Sequence, residues 1–532
     1  MSSSQDEKTP PLPPGRDCPL AEWPRYWAER RPTSLAIRDE SRELDWLAFE
    51  ARVERAACAL QSKGIEAGDR IALLLGNRTA YLELFFAAAR IGAILTPINI
   101  RLTAHEIAFQ VGDCRPVCLV HEHSLRPVVK EALALSNHRP TEVWSLGGEP
   151  DDYESLLNAS SATVSDSSGV GSEEPVLLMY TSGTTGSPKG ALLPARKVFF
   201  NSLNASLYFE NGPSDRVLVV APLFHSLALQ ILALPIMRAG GGLVLQSEFE
   251  PVAVWDAVDR FGITYFGGVP AMHQRLDDVL SSHERSHWNR SALRFVFTAG
   301  SAASVELIRS FQEQGILMIQ GYGQTETSIL TCLSAEDALR CAGSVGRPVR
   351  HGEVRVVDRS TAPEDPTEWR ETEPDETGEI VVRGPLNMLR YWEEPEATAR
   401  TMKADWLCTG DLARRDPEGF ITLVGRTREM FISGGENVMP AEVEAVYREH
   451  PDIRDVAVVG EVDPKWGEVG RAHLVLEPGA RVSAAGLDAW ARSRLAAFKV
   501  PRRYVIETEF PRTASGKIQK FQLSFDPARL LA

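Results

Sequence analysis

The sequence predicts an α/β protein: a large N-terminal domain of βα-layered subdomains with a small β-barrel-like subdomain, followed by a small α+β C-terminal domain. Three observations predict it. From about residue 34, runs of helical period alternate with short strand-like runs, the pattern of βα units and mostly parallel sheets. After Gly343 the texture changes to short strands divided by acidic, proline-rich turns. Near Thr427 a compact unit of mixed helices and strands begins. At 532 residues the chain is longer than one hydrophobic core serves.

Taken in order, MSSSQDEKTPPLPPGRD is polar and lacks the apolar core of a signal peptide, so residues 1–20 read as a disordered leader. The large domain is placed at 21–427. It opens with the helix LAFEARVERAACALQSKG, the strand DRIALLLG, the helix AYLELFFAAARIGA and the strand ILTPIN. Strands RVLVVAP, GLVLQ, ITYFGGVP, RFVFTAG and ILMIQGYG continue the alternation, with VAVWDAVDRFG and SVELIRSFQEQG as helices among them. The longest apolar stretch, VLVVAPLFHSLALQILALPIM, is broken by two prolines and a histidine and reads as a buried strand and helix, not a membrane span. GEVRVVD, GEIVVRG and GFITLVGR are the strands of the β-rich part. The C-terminal domain, 428–532, holds the helix PAEVEAVYREH with Pro440 in its first turn, strands DVAVVGE and AHLVLE, and the helix AAGLDAWARSRLAAF.

Composition bounds the partners. With 43% hydrophobic and 24% charged residues the chain is of soluble globular type. A net charge of -15 argues against general binding of nucleic acid or an anionic membrane, so anionic ligands need local positive groups. Seven cysteines, at 18, 58, 114, 118, 332, 341 and 408, are scattered, and Cys114 with Cys118 has no second pair to complete a zinc site. They read as reduced cysteines of a cytoplasmic protein.

The segment Tyr180–Gly190, YTSGTTGSPKG, lies between the apolar runs VLLMY and ALL. Its glycines Gly183, Gly186 and Gly190 let backbone N–H groups approach anionic oxygens. Thr181, Ser182, Thr184, Thr185 and Ser187 add hydroxyl donors and Lys189 a charge: the residues of a phosphate-holding loop. The spacing fits neither G-x-x-x-x-G-K-[ST] nor G-x-G-x-x-G, which excludes a P-loop NTPase and a Rossmann dehydrogenase. Further polar clusters are expected just past strand ends, where open α/β sheets place ligands: GYGQTET (321–327), TGD (409–411), GRTRE (425–429) and ASGKIQK (514–520). The sequence holds ten lysines among 57 basic residues, and Lys189, Lys499 and Lys517 fall at motif-like positions.

In this order and at these separations the five motifs resemble the adenylate-forming superfamily of acyl-CoA synthetases, peptide-synthetase adenylation domains and beetle luciferases, over about residues 25 to 525. The resemblance implies an AMP-forming acid–thiol ligase that uses ATP, Mg²⁺ and CoA. It implies that the glycine-rich loop holds the β- and γ-phosphates, that Thr181 and Glu326 bind Mg²⁺, and that Thr325 contacts the α-phosphate. Tyr322, between Gly321 and Gly323, would stack on adenine beside the backbone of Ala299, Gly300, Ser301 and Ala302. Asp411 would accept the ribose hydroxyls, and Arg426 would reach ribose or phosphate. Lys517 would bridge the acyl carboxylate and the α-phosphate, with a Coulomb term of roughly 4 kcal/mol at 4 Å in a site of effective dielectric about 20. His225 would border the acyl pocket, as a wall and not as a base, since a carboxylate is already ionised at neutral pH. The resemblance also implies a mobile C-terminal domain that rotates about Arg428, bringing SGGEN (Gly434, Gly435, Glu436) and the turn at Trp466 to the site for the CoA step.

Three positions depart from the family pattern: FTAGSAAS lacks its Gly-Gly-x-Pro form, Glu429 replaces the usual aspartate, and Arg428 stands where aspartate or lysine is commoner. The residues expected to line the pocket, Ser226, Leu227, Leu229, Gly267, Gly268, Ala271, Ala299, Gly300 and Gly323, are small or apolar, which suits a hydrophobic acid, fatty, aryl or alicyclic, without an α-amine. The acceptor is CoA or an acyl carrier protein, and the assembly a monomer or homodimer. A non-catalytic nucleotide- or acyl-binding protein is the rival from another class; the joint presence of Lys517, Glu326, Asp411 and Arg426 speaks against it.

Overall fold

A computed structural model describes residues 18–531 except 149–150, 161–169, 182–187, 283–287, 301–302, 361, 428, 434–435, 465, 496 and 513–515. The described residues form two compact units. One takes in those of Met1–Thr181, Pro188–Glu353 and Arg383–Arg400, the other those of Val354–Val382 and Thr401–Ala532.

The first unit is built on two sheets. A seven-stranded sheet runs, edge to edge, through Arg390–Tyr391, Lys189–Pro194, Pro175–Thr181, Ile94–Pro97, Arg70–Leu74, Cys118–Glu122 and Glu142–Leu146. A nine-stranded sheet runs through Arg347–Pro348, Ser328–Cys332, Met318–Gln324, Phe295–Thr298, Tyr265–Gly268, Arg216–Val219, Gly242–Leu245, Leu35–Arg38 and Glu43–Asp45. The central strands of both are parallel, as the alternation of helix and strand requires, while Lys189–Pro194 and Ser328–Cys332 pair antiparallel to their neighbours. Leu218, Val244, Phe266, Val296 and Met318 of the nine-stranded sheet pack against Val254, Trp255 and Val258 of the helix Pro251–Phe261 and Leu307, Ile308 and Phe311 of Val305–Glu313. Each such fully buried side chain contributes roughly 1.5–3 kcal/mol of transfer free energy.

Two buried arginines of this unit are matched by carboxylates. Arg90, wholly buried on the helix Thr79–Ile91, donates through both terminal nitrogens to the two carboxylate oxygens of Glu50, at 3.0 Å each, and to the Ala21 carbonyl. Arg52 makes the same fork with Glu83, at 2.7 and 3.0 Å, and reaches Glu154. Glu50 and Arg52 share the helix Trp46–Ser62, whose first turn is capped by the Asp45 carboxylate accepting from Ala48 N–H at 2.8 Å.

The second unit carries a six-stranded sheet, Arg370–Glu371, Glu353–Asp358, Thr377–Arg383, Trp406–Arg415 and Met402–Lys403 with Ile421–Arg426 added on Trp406–Arg415, and a five-stranded sheet, Glu436–Val438, Phe431–Ser433, Gly467–Leu476 and Ile453–Asp463 with Arg503–Ile506 added on Gly467–Leu476. The helices Pro440–Arg448 and Ala484–Arg492 supply Val443, Tyr447, Leu487 and Ala491 to the core of the latter. Among the described residues no helix is long and apolar enough to cross a membrane. All seven cysteines are free, and all but Cys341 are buried. Burial pushes the thiols of Cys114 and Cys408 up to about 12 and raises those of Cys118 and Cys332 as well.

One expectation is corrected. The polar clusters placed just past strand ends lie partly on the strands: Met318–Gln324 runs through Gly321, Tyr322 and Gly323, and Trp406–Arg415 through Thr409–Asp411. Antiparallel partners supply the missing pairing, Gly321 opposite Cys332 and Asp411 opposite Arg426, so polar residues extend strands that the apolar pattern ends. The apolar stretch after His225 is a π-helix, Leu227–Ala233, leading into the α-helix Leu234–Ala239.

His273, wholly buried in the helix Pro270–Ser281, has Nε2 3.0 Å from the Phe297 carbonyl, to which it donates as the Nε2–H tautomer. Burial pulls its pKa from 6.5 to about 4, so the neutral ring stabilises the fold above pH 6.5 and that contribution is lost as pH falls through 4. His273→Gln is expected to remove roughly 3 kcal/mol of this acid sensitivity. Urea unfolding at pH 7.5 and pH 4.5 checks it: the wild type should lose more stability than the variant over that interval.

Candidate active site

The residues expected to form the acyl pocket lie along one edge of the nine-stranded sheet. Arg216–Val219, Tyr265–Gly268, Phe295–Thr298 and Met318–Gln324 are adjacent and parallel, and His225, Gly268, Ala299 and Tyr322 lie at or beyond their C-terminal ends. Ala299 N–H donates to the Gly268 carbonyl at 3.3 Å, which holds two of these loops together. His225 is half-buried. Its N–H donates to the Pro222 carbonyl at 2.9 Å, and its carbonyl accepts from Leu229 at 3.1 Å, starting the π-helix. Ser226, half-buried, accepts from the Gln230 side chain at 3.1 Å, while Leu229 is fully buried. Gly300 follows at φ +90° on an exposed corner. Ser301 and Ala302 lie outside the described residues.

The hairpin of Met318–Gln324 and Ser328–Cys332 carries Tyr322, Thr325 and Glu326. A Cβ on Gly323 would stand 1.7 Å from the Ser328 carbonyl oxygen, so glycine alone fits there. Ser328 itself adopts φ +62°. The Glu326 carboxylate is buried and accepts from the Tyr391 hydroxyl at 2.8 Å, and its carbonyl accepts from Met388 N–H at 2.8 Å. Tyr391 pairs with Ala191 on the edge of the seven-stranded sheet, and the Lys189 ammonium stands 5.7 Å from its ring centre. Thr181 pairs with Lys189 across the arms of the glycine-rich loop, and its hydroxyl lies 3.4 Å from the Lys189 carbonyl. Thr181, Lys189 and Glu326 are therefore linked through Tyr391, which the sequence reading missed. Its motif-like signal is the YW pair, whose Trp392 N–H donates to the Gly190 carbonyl at 2.7 Å. The tip of the loop, Ser182, Gly183, Thr184, Thr185 and Gly186, lies outside the described residues. The Thr181 hydroxyl and Glu326 carboxylate are oxygen donors, which suits Mg²⁺ accompanying a nucleotide.

In the second unit Asp411 faces Arg426 across an antiparallel pair, with Arg426 Nε 2.8 Å from its carboxylate. The TGD sequence has a local cause. Thr409 donates to the Ile380 carbonyl at 2.7 Å and accepts from Asp411 N–H at 3.1 Å; Gly410 N–H donates to Glu379 at 2.9 Å, and Arg359 holds the other Glu379 oxygen at 2.8 Å. Ser433, at the end of one arm of the SGGEN hairpin, pairs with Gly467, so that hairpin and the turn bearing the exposed Trp466 are neighbours. Glu436 is on the other arm; Gly434 and Gly435 lie outside the described residues, as does Arg428. Lys517 is exposed beside Gly516, whose carbonyl accepts from Arg512 at 2.6 Å. Three residues on, Lys520 is half-buried between Glu429 and Glu444, 2.7 Å from each. Burial lowers its pKa, but Glu444 and Glu429 outweigh that and hold it above the ordinary lysine value. Glu429 thus has a partner. Lys499 donates to Glu442 at 2.6 Å.

The model of the AMP-binding enzyme family matches residues 24–392, and that of the AMP-binding enzyme C-terminal domain matches residues 442–517. The chain belongs to the AMP-binding enzyme family. It is an AMP-forming acyl-CoA synthetase of the adenylate-forming superfamily, whose reaction uses ATP, Mg²⁺ and CoA. Among its relatives, a feruloyl-CoA synthase of Amycolatopsis is 36% identical over 507 residues, 94% of this chain and 97% of that protein. An indoleacetate–CoA ligase of Aromatoleum aromaticum is 36% identical over 509 residues, 94% of this chain and 96% of that protein. The structure of o-succinylbenzoate CoA synthetase from Bacillus subtilis with its acyl-adenylate superposes with a TM-score of 0.83 at 30% identity, covering 95% of this chain and 98% of that one. ATP-bound MatB from Rhodopseudomonas palustris gives 0.84 at 27% identity, covering 94% and 97%.

Tyr391→Phe removes the hydroxyl donor to Glu326, a hydrogen bond to a charged group worth about 1.5–3 kcal/mol. Acid-dependent pyrophosphate exchange with ATP should fall about tenfold or more, with the melting temperature lowered by no more than a few degrees; wild-type exchange would show that Glu326 needs no such support.

Proposed function

We propose that this AMP-binding enzyme joins a hydrophobic carboxylic acid without an α-amine to CoA, and that aryl acids are its substrate class. The lining of the sheet edge carries the reading: Ser226, Leu229, Gly268, Ala299 and Gly323 are small or apolar and offer room without charge. The two relatives at 36% identity have names with aromatic acyl groups, which puts aryl acids ahead of fatty and alicyclic ones.

In the first half-reaction a carboxylate oxygen attacks the α-phosphorus of ATP, and the bond to pyrophosphate breaks. Like charges must be held in line, so the residues proposed here are donors and cations. Thr325 meets the α-phosphate. Lys189 and the loop 182–187 hold the outer phosphates. Mg²⁺, on Thr181 and Glu326, draws charge from the phosphate oxygens when bound. Tyr322 and the backbone of 299–302 hold the base, and Asp411 with Arg426 the ribose. Lys517 supplies its ammonium to the carboxylate and α-phosphate oxygens, while His225 closes the pocket wall. In the second half-reaction the CoA thiolate attacks the acyl carbonyl and AMP leaves. Gly434, Gly435, Glu436 and Trp466 guide the thiol. The chain divides functionally at 427/428, with Arg428 as hinge between the two half-reactions, and the enzyme acts in the cytoplasm.

AMP release from ATP and Mg²⁺, measured across aryl, straight-chain and polycyclic acids with and without CoA, tests the reading. Aryl-CoA with AMP is expected; adenylate without CoA turnover would move the acceptor to a carrier protein. Lys517→Ala should lose most adenylation while sparing thioester formation from supplied acyl-adenylate. Equal loss in both steps by a folded variant would refute its role. Arg428→Pro should do the reverse, since proline restricts the backbone at the hinge.

A further inference from the structure

Lys197 was not singled out by any motif, yet it is wholly buried on the helix Ala195–Phe209, directly after the second arm of the glycine-rich loop. Among the described residues it has no ion-pair partner. Its ammonium donates to two neutral oxygens, the Gln230 side-chain carbonyl at 3.0 Å and the Ser328 hydroxyl. A buried lysine without a counter-ion is costly, and one held only by neutral acceptors needs a reason. Burial pulls its pKa down to about 7, against the attraction of nearby Glu326 and with a smaller repulsion from Arg196. Either protonation state keeps hydrogens for both acceptors.

The two acceptors belong to different parts of the site. Ser328 ends the turn that carries Thr325 and Glu326, and holds φ +62°, a conformation that costs a non-glycine residue free energy. Gln230 lies in the π-helix of the acyl-pocket wall, and its amide donates to the Ser226 hydroxyl at 3.1 Å, beside His225. Ser328 also donates to Gln230, at 3.2 Å. One turn along the helix, Asn201 repeats the bridge: it donates to the Gln230 backbone carbonyl and accepts from Ile329 N–H at 3.2 Å.

We propose that Lys197 is a positioning residue for adenylation, its ammonium tying the turn of Thr325 and Glu326 to the wall of the acyl pocket so that carboxylate and α-phosphate meet in one fixed register. The proposal rests on the adenylation reading given above. It requires Lys197 for the first half-reaction and not for the second, because acyl transfer from a finished adenylate no longer needs the phosphate turn aligned with the acid.

The test uses Lys197→Met, which keeps the buried volume without donors, and Ser328→Gly, which removes the hydroxyl while suiting positive φ. Each full-length variant is assayed for acid-dependent pyrophosphate exchange and, separately, for acyl-CoA formation from supplied acyl-adenylate, with melting temperature recorded. Both variants should lower kcat of exchange about tenfold or more, with KM for the acid changed less than about twofold and transfer to CoA nearly unchanged. Equal losses in the two half-reactions, a loss confined to acid KM, or wild-type exchange in a folded Ser328→Gly would overturn the proposal. A wild type without exchange on any acid would instead refute the adenylation reading, which separates the two failures.

Discussion

A backbone contact that admits no side chain lies under the site: the carbonyl of Ser328 against the α-carbon of Gly323. That approach closes the hairpin so tightly that Tyr322, Thr325 and Glu326 follow within a few residues of one another. A strand partner, not a helix terminus, fixes where Tyr322 points. The left-handed conformation of Ser328 is the cost of the same closure, offset by hydrogen bonds from elements on either side.

The rest of the chain meets the electrostatic demand of a polyanionic substrate against a net negative charge and with few lysines. Its net charge is -15 and it holds ten lysines. Several arginines are bound to carboxylates in fixed forks, among them Arg90 with Glu50 and Arg52 with Glu83. Lysine, flexible and readily desolvated, stands at motif-like positions as Lys189, Lys499 and Lys517. Lys189 over Tyr391 and Arg426 against Asp411 show the two solutions side by side: one cation lies against a ring, the other is already paired across a sheet.

Much of the layered fold was legible because its inner strands are apolar and its helices amphipathic: the stretches DRIALLLG, ITYFGGVP and RFVFTAG all became strands of the parallel sheets. Strand ends were not legible where polar residues continue the ladder, as at Gly321–Gln324 and Thr409–Arg415, since antiparallel pairing satisfies any backbone regardless of side chain. Thr181, Tyr322, Glu326, Asp411 and Arg426 were singled out through motifs that resemble those of the adenylate-forming superfamily. Tyr391, Lys197 and Lys520 were not. An aromatic in a YW pair and a lysine in an ordinary helix carry no local mark of a partner 65 or 131 positions away. Lys520 lay inside a recognised motif, but its two glutamates come from separate segments.

The cysteines bear on a hazard of the chemistry. An acyl-adenylate is a mixed anhydride, and it acylates whatever thiolate reaches it. Cys332 sits on the very hairpin that carries Tyr322, opposite Gly321, yet it is buried, and burial holds it as the neutral thiol. Cys114, Cys118 and Cys408 are kept in the same state. These four thiols are thereby withheld from acylation, and the activated acyl group is left to a thiol arriving from solvent.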